Sequence, residues 1–301
     1  MTTSLKTFLQ NNSKTLGFDA IGFASPFLTE AALYAQRRMV ETESYQDMAY
    51  LARHLSFKEN PNLLLPGVQT AIVVIKNYKN TPEKHLPETQ KVARYAVGKD
   101  YHVVMKEKLS LLEIALKTQA PTAQSYIGVD SSPIAERALA IQSGIGFRGR
   151  NSMIIRHRLG SYFFIGVMLT TVKIEPDEIV KGTCGTCQRC VEACPTQTIT
   201  ANGDFHIDRC IAYNTIEKKT PLPENVKKTY QGWTFGCDIC QEVCPFNNPF
   251  IPETNWDAFR PEAGVGFDFF ERQARISDIP KASALYRSRK RLFENTPTSQ
   301  E

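Results

Sequence analysis

The sequence has no cysteine in residues 1–183, although the whole chain has eight. It also has no uninterrupted apolar run of the roughly 18 residues that a transmembrane helix needs. The N-terminus, MTTSLKTFLQNNSKTLGF, lacks the apolar stretch of a signal peptide. We therefore expect a soluble, cytoplasmic protein. Disulfides are rare in a reducing compartment, so metal ligation becomes the leading use of the eight thiols.

Several common catalytic motifs are also missing. There is no Walker A motif and no H-E-x-x-H, and the five histidines, at positions 54, 85, 102, 157 and 206, show no metal-ligand spacing. We expect each of them to have a surface or capping role. Residues 144–149, GIGFRG, match G-x-G-x-x-G but follow a helical segment instead of a strand. This match predicts a helix end and a turn, not a nucleotide site.

The rest of the composition is that of a globular protein. The 301 residues are 42% hydrophobic and 22% charged, which allows one large domain or two ordinary ones. Such a chain can bury a core without disulfides. The net charge of +5 gives weak support for a polyanionic partner.

The apolar pattern predicts mixed helices and strands in the first part of the chain. Helices are expected over 5–16, 28–54 and 101–118, strands over 20–24, 70–78 and 123–130, and a hairpin over 152–171 with its turn at 158–160. We expect an α+β protein with an α/β domain over 1–175, a cysteine domain over 176–250 and a wrapping segment with a basic tail over 251–301.

The cysteines have a recognisable spacing. Cys184, Cys187, Cys190 and Cys194 form C-x2-C-x2-C-x3-C before Pro195, as in bacterial ferredoxins, where the fourth cysteine binds a second cluster. The second half of the pattern is C-x2-C-x3-C-P, with Cys210 lying upstream of it. The cross-ligation rule assigns one 4Fe-4S cluster to Cys184, Cys187, Cys190 and Cys244, and the other to Cys194, Cys210, Cys237 and Cys240. Two zinc sites or structural cysteines are the competing interpretations, but zinc sites usually pair two C-x2-C units across a longer gap.

Two polar motifs are candidates for chemistry. Asp130 closes the apolar strand YIGV before a helix, where a carboxylate is either an N-cap or an active-site acid. Spacing alone favours the cap. The segment GKDYH, residues 98–102, has helix initiation as its simplest interpretation.

Six separated motifs together resemble the epoxyqueuosine reductases, over nearly the whole chain. The motifs are GKDYH, VDSSPIAERALAIQSGIGFRGRNSMII, GSYFFIGVMLT, ACPT within the cysteine run, RCIAYNTIE and GCDICQEVCPFN. These enzymes make queuosine at the tRNA wobble position with cobalamin and two 4Fe-4S clusters. The resemblance implies a cobalamin-binding domain like that of reductive dehalogenases, packed on a ferredoxin-like domain. Many family members continue into helical repeats, which we do not expect in this chain, and many have glycine where this chain has Ser132 and Pro133.

The resemblance also implies roles for single residues. The proton donor of the family's V-D-[ST] motif falls on Asp130, which we expect burial to keep protonated. The expected cobalamin contacts are Lys58, Asp130, Ile154, Ile165, Ala212 and Asp238. The reaction removes an epoxide oxygen with two electrons and a proton, followed by loss of water.

The expected partners are tRNA and an unidentified low-potential electron donor, with the chain acting as a monomer. The basic residues expected to bind tRNA phosphates are Lys218, Lys219, Arg289, Lys290 and Arg291. The charge cluster of the tail could equally be a solvated helix face. Two other functions remain open: a two-cluster electron carrier, and a cobalamin-dependent reductase of small organic molecules.

Overall fold

The computed structural model describes residues 4–81, 91–248, 250–265, 275–288 and 290. Its α-helices are α1 Leu5–Thr15, α2 Glu30–Glu41, α3 Tyr50–Arg53, α4 Leu55–Glu59, α5 Tyr101–Gln119, α6 Glu136–Gln142, α7 Arg189–Glu192, α8 Ile211–Ile216, α9 Glu224–Lys227 and α10 Ile239–Glu242. Its strands are β1 Ala20–Ala24, β2 Thr70–Asn77, β3 Lys91–Val92, β4 Ser125–Gly128, β5 Phe147–Arg148, β6 Ile154–Ile155, β7 Phe163–Thr170 and β8 Trp233–Phe235. The expected α+β class is confirmed. Within the described ranges, no helix has the length and apolar character needed to cross a bilayer.

The central sheet has four antiparallel strands in the order β1-β2-β7-β4. All eight residues of β2 are buried, which confirms the prediction of a strand covered on both faces. Alternate residues of a strand point to opposite faces, so Ile72 and Val74 enter one core while Val73 and Ile75 enter another. The first core contains α1 and α5, and the second contains α6. The sheet is therefore the middle of three layers.

The hairpin prediction is only partly right. A turn is present, because Arg156 and Gly160 form an isolated antiparallel bridge around it. However, β6 pairs with β5, whereas β7 pairs with β2 and β4. The two predicted hairpin strands therefore belong to different sheets, because β7 forms longer pairings with β2 and β4 in the central sheet.

The cysteine segment packs directly on the α/β layer. Strand β3 pairs in parallel with β8, and the Arg94 side chain contacts Asp238 and Glu242. The side chain of Asn247 accepts a hydrogen bond from the Ser161 N–H at 2.7 Å and donates one to the Ser161 hydroxyl at 2.9 Å. Polar side chains therefore fix the cysteine segment against the end of β7.

The segment after the cysteines returns to the first core. Phe259 is buried between α5 and β7, and the ring of Trp256 lies 5.4 Å from that of Phe18. Asn77 donates to the carbonyl of Pro252 at 2.7 Å. In the described residues 250–265, the chain thus lies across the α/β layer.

Candidate active site

The eight cysteines gather in two groups that mix both halves of the sequence motif. Cys184, Cys187, Cys190 and Cys244 line one cavity. Burial raises the pKa of the Cys190 thiol, and the neighbouring Cys184 and Cys244 raise it further. Burial likewise raises the pKa of Cys210, with a further contribution from Cys194. Cys244 therefore lies with the cysteines of the first run, and Cys194 lies near Cys210.

Clusters and single metal ions make different demands on the spacing of their ligands. Among the described residues, which include all eight cysteines, no three His, Cys, Asp or Glu side chains converge closely enough to hold one metal ion. A zinc ion draws its ligands to a single point, whereas each thiolate of a 4Fe-4S cluster binds a different iron. Burial raises the pKa of the Cys237 and Cys240 thiols, so thiolates at these positions need a cation beside them.

Asp130 lies where β4 leaves the sheet. Its φ of 56° is in the left-handed region, and its backbone N–H donates to the Glu136 carboxylate. The N-cap position of α6 belongs to Ala135, so the N-cap interpretation of Asp130 is wrong. The left-handed residue turns the chain at the end of the strand and leaves the carboxylate free for other contacts.

The Asp130 carboxylate accepts two hydrogen bonds from the start of α5. The Tyr101 hydroxyl lies 2.7 Å from Oδ2 of Asp130, and Nε2 of His102 lies 3.0 Å from the same oxygen. Nδ1 of His102 lies 2.7 Å from Oδ1 of Asp100. The exposed fraction of the side chain falls from 59% for Asp130 to 13% for His102 and 9% for Asp100. Asp130 is therefore the open end of a polar chain that leads inward.

Two carboxylates that face one imidazole stabilise a proton on each ring nitrogen. Burial alone would lower the pKa of His102, but its hydrogen bonds to Asp100 and Asp130 raise the pKa to about 9. Desolvation tends to raise the pKa of Asp130, but the hydrogen bonds from His102 and Tyr101 outweigh it and the pKa is lowered. The expectation that burial keeps Asp130 protonated is wrong. At neutral pH the proton is held on His102.

Sequence reasoning missed the partners of Asp130. Asp100 does cap α5, since its carboxylate accepts the N–H of His102 at 3.0 Å, as helix initiation predicts. The same turn, however, points the side chains of Tyr101 and His102 at Asp130. The expected surface or capping role is therefore wrong for His102. The available signal was the adjacent placement of Asp, Tyr and His at a helix start in GKDYH.

The residues expected to contact cobalamin have different surroundings. Ile165 is half-buried in an otherwise buried strand, whereas Ile154 is 3% exposed and belongs to the second core. The N–H of Ala212 points to the Cys210 thiol. Asp238 is buried and contacts Arg94 and Gln241. Lys58 is also buried, and it donates to the side chain of Gln36 at 2.9 Å.

The predicted tRNA-binding residues divide into two sets. The N–H of Lys219 donates to Asp47 at 2.9 Å, which holds the 217–219 corner against the loop before α3. Burial raises the pKa of Tyr50 in α3, and the carboxylates of Glu217 and Asp130 raise it further, so both carboxylates act on Tyr50. Lys290 is exposed, and Arg289 and Arg291 lie outside the described residues.

The GIGFRG segment ends a helix, as predicted. Helix α6 ends at Gln142, and Gly144 follows it with a φ of +68°. A Cβ on Gly146 would lie 2.3 Å from the Ile155 carbonyl oxygen, so this glycine allows β5 and β6 to approach. Gly144 and Gly146 are therefore required by the backbone conformation and by close packing.

Comparisons with known proteins agree with this geometry. Residues 183–247 match a 4Fe-4S double cluster binding domain, and residues 58–131 match the family model "Epoxyqueuosine reductase QueG, DUF1730". An epoxyqueuosine reductase from Cyclobacterium marinum is 33% identical over 292 residues, which cover 95% of this chain and 93% of the relative.

Two solved structures are also similar. Epoxyqueuosine reductase with an epoxyqueuosine-modified tRNA-Tyr stem loop matches with a TM-score of 0.83 and 27% identity, over 97% of this chain and 80% of that one. The Bacillus subtilis enzyme, with its catalytic aspartate loop swung out of the active site, matches with a TM-score of 0.70 and 30% identity, over 84% of this chain and 69% of that one. The chain belongs to the epoxyqueuosine reductase family.

Proposed function

We propose that this protein reduces epoxyqueuosine to queuosine at the wobble position of tRNA, with Asp130 as the proton donor. The observation that carries the proposal is the chain of Asp100, His102 and Asp130, which ends in an exposed carboxylate. The relatives support the substrate, since one of them is bound to a modified tRNA stem loop. Thiol-ligated clusters suit a cytoplasmic site.

The residues at the site can hold and deliver a proton. His102 keeps a proton at neutral pH because its pKa is raised to about 9. When a basic oxygen forms next to Asp130, the proton of His102 can move onto that carboxylate and then onto the oxygen. Tyr101 fixes the carboxylate throughout, and Asp100 stabilises the charge on the ring.

The reaction balances with two electrons and two protons. The epoxide gives up its oxygen as water, and the two ring carbons are left joined by a double bond. One proton goes to the oxygen as the epoxide opens, and the second accompanies its loss as water. We propose that Asp130 supplies the first of these protons and that two 4Fe-4S clusters supply the electrons one at a time.

We propose that cobalamin binds at the side of β7 that β4 leaves unpaired. Strand β4 pairs with β7 only from Ser125 to Gly128, and in the described residues no strand continues along this side of β7 beyond Val167. If the register is extended, Asp130 lies level with Ile165, the half-exposed position of β7. We propose that the Ile165 backbone holds cobalamin there, with Ala212 and Asp238 on the cluster side. When bound, cobalamin supplies the cobalt centre that passes electrons to the substrate.

Charge near the site supports tRNA binding. Lys218 and Lys219 follow Glu217, whose carboxylate acts on Tyr50 together with that of Asp130, and the Lys219 N–H donates to Asp47. Arg287, at the start of the basic tail, lies 3.4 Å from the Asp100 carboxylate. We propose that these cations bind phosphates while the wobble base is splayed toward Asp130. A monomer and a separate low-potential electron donor complete the proposal.

The test is a defined reaction with modified tRNA. The protein is loaded with iron-sulfur clusters and cobalamin without oxygen, and it is given a chemical reductant and tRNA that contains epoxyqueuosine. We expect mass spectrometry of the digested tRNA to show loss of one oxygen from the wobble nucleoside. Conversion of small halogenated compounds but not of the tRNA would contradict the proposal. Cluster reduction without any corrinoid binding would indicate an electron carrier.

A further inference from the structure

The loop after the GIGFRG segment connects the α/β layer to both groups of cysteines. It comprises Arg150, Asn151 and Ser152, between β5 and β6. The Asn151 side chain donates to the Cys240 carbonyl at 3.2 Å. Arg150 turns the other way, toward Cys184 and Cys187. This loop therefore contacts both the first cysteine run, through Arg150, and the second run, through Asn151.

Arg150 makes four hydrogen bonds around the first cysteine loop. Its backbone N–H donates to the Cys184 sulfur at 3.3 Å. Its guanidinium donates to the carbonyls of Cys187 at 3.2 Å, Gly185 at 3.3 Å and Ala201 at 2.6 Å. A planar guanidinium that binds three carbonyls fixes their relative positions, which a single ammonium group cannot do. Arg150 also lines the cavity that contains Cys184, Cys187, Cys190 and Cys244.

We propose that Arg150 is a positioning residue that fixes this ligand loop and raises the reduction potential of the cluster bound there. A cluster becomes more negative on reduction, so a nearby cation and an N–H bond to a ligand sulfur stabilise its reduced form. The proposal rests on the ligand assignment of the proposed function. It goes further by making the potential of one cluster depend on a side chain of the α/β layer.

The chain offers a matched control for this residue. Arg148 lies two positions earlier in β5, is exposed, and bonds to the Ser152 hydroxyl at 3.1 Å instead of to a cysteine loop. Replacing either arginine removes one positive charge from the same strand and loop. Only the replacement of Arg150 removes the bonds to the carbonyls of the ligand loop.

The test is a potentiometric titration of the loaded full-length protein followed by electron paramagnetic resonance. We expect Arg150→Gln to move one of the two midpoint potentials to a more negative value, with the other unchanged and with Arg148→Gln like wild type. Equal titration curves for Arg150→Gln and wild type would overturn the proposal. So would an equal shift in Arg148→Gln.

A second variant decides the matter if Arg150→Gln assembles no clusters. Arg150→Lys keeps the charge but cannot bind three carbonyls in one plane. We expect a chelator to remove one cluster faster from Arg150→Lys than from wild type, while the other cluster is lost at the wild-type rate. Release of both at wild-type rates would overturn the proposal. If the Arg150 variants show these effects but the wild-type protein leaves epoxyqueuosine in tRNA unchanged, the proposed function is contradicted and the proposal for Arg150 is not.

Discussion

The cysteine segment and the Asp130 site are built from opposite kinds of sequence. In the cysteine segment, residues 184–194 and 237–244 bring most ligands together through short loops with fixed spacing. At the Asp130 site, residues 100–102 come from the start of α5, Asp130 from the end of β4 and Glu136 from the start of α6. In the first site most ligands come from two short runs of fixed spacing, whereas the second site forms only when the sheet and its helices are assembled.

The two sites should respond differently to the replacement of a single residue. Loss of one cysteine removes a bond to iron that no neighbouring side chain replaces. At the Asp130 site, Tyr101 and His102 each bond to the carboxylate, and Glu136 bonds to the backbone N–H of Asp130. Loss of one of these bonds leaves the other two in place. We therefore expect all-or-none effects in the first region and graded effects in the second.

The largest effect is expected from paired cysteine replacements. Cys194→Ser with Cys210→Ser removes two ligands of the same cluster if the cross-ligation hypothesis is right, so about half of the iron remains and turnover is abolished. Cys194→Ser with Cys244→Ser is the matched control, because it removes one ligand from each cluster. Iron analysis and electron paramagnetic resonance measure the outcome. Loss of both clusters from the variant with Cys194→Ser and Cys210→Ser would show that each run binds its own cluster.

The next effect is expected at the proton donor. Asp130→Asn keeps the shape of the side chain but removes the carboxylate, and a lost general acid lowers the rate by about 10²- to 10⁴-fold. Cluster and cobalamin contents should not change. Ser131→Ala, a change at the exposed neighbouring residue, is the control for disturbance of the loop. Normal conversion of epoxyqueuosine by Asp130→Asn would exclude the proposed role.

A smaller effect is expected from Glu136, which supports the backbone of Asp130. Burial and the charge of Asp130 raise the pKa of Glu136 to about 8. Glu136→Ala removes the acceptor for the Asp130 N–H, a loss of about 1–2 kcal/mol, so we expect a rate that is roughly tenfold lower. Glu136→Gln retains an oxygen acceptor and should stay close to wild type. Equal losses in both variants would show that the charge, not the hydrogen bond, matters.

The smallest effect is expected from Lys218 and Lys219, the two lysines proposed to bind tRNA phosphates. Replacement of both Lys218 and Lys219 by Ala should weaken tRNA binding and reduce the slope of log affinity against log salt by up to about 2. The rate of the bound complex should not change. Lys14→Ala, at an exposed residue of α1, is the control. Binding that does not weaken as salt rises would contradict an electrostatic role for this surface.

Sequence reasoning predicted the two regions unequally, for physical reasons. Cysteine spacing is imposed by the cluster itself, so the ligands could be named before the fold was known. Asp130 could be identified only through resemblance, because an aspartate after a strand has the same local pattern whether it caps a helix or donates a proton. The pKa of Asp130 was predicted in the wrong direction because it depends on His102, which α5 brings to it across the fold. The hairpin prediction was partly wrong for a similar reason, because β7 pairs with β2 and β4, which are distant in sequence.

The most direct test of the proton pathway is the pH dependence of queuosine formation at saturating tRNA. The pKa of His102 is raised from 6.5 to about 9, so the protonated ring is present at neutral pH and is lost as pH rises through about 9. We predict that the wild-type rate falls through this range, that Glu136→Gln keeps the fall, and that His102→Gln is slower and lacks it. A wild-type rate that stays constant to about pH 10, or an unchanged alkaline fall in His102→Gln, would contradict the account.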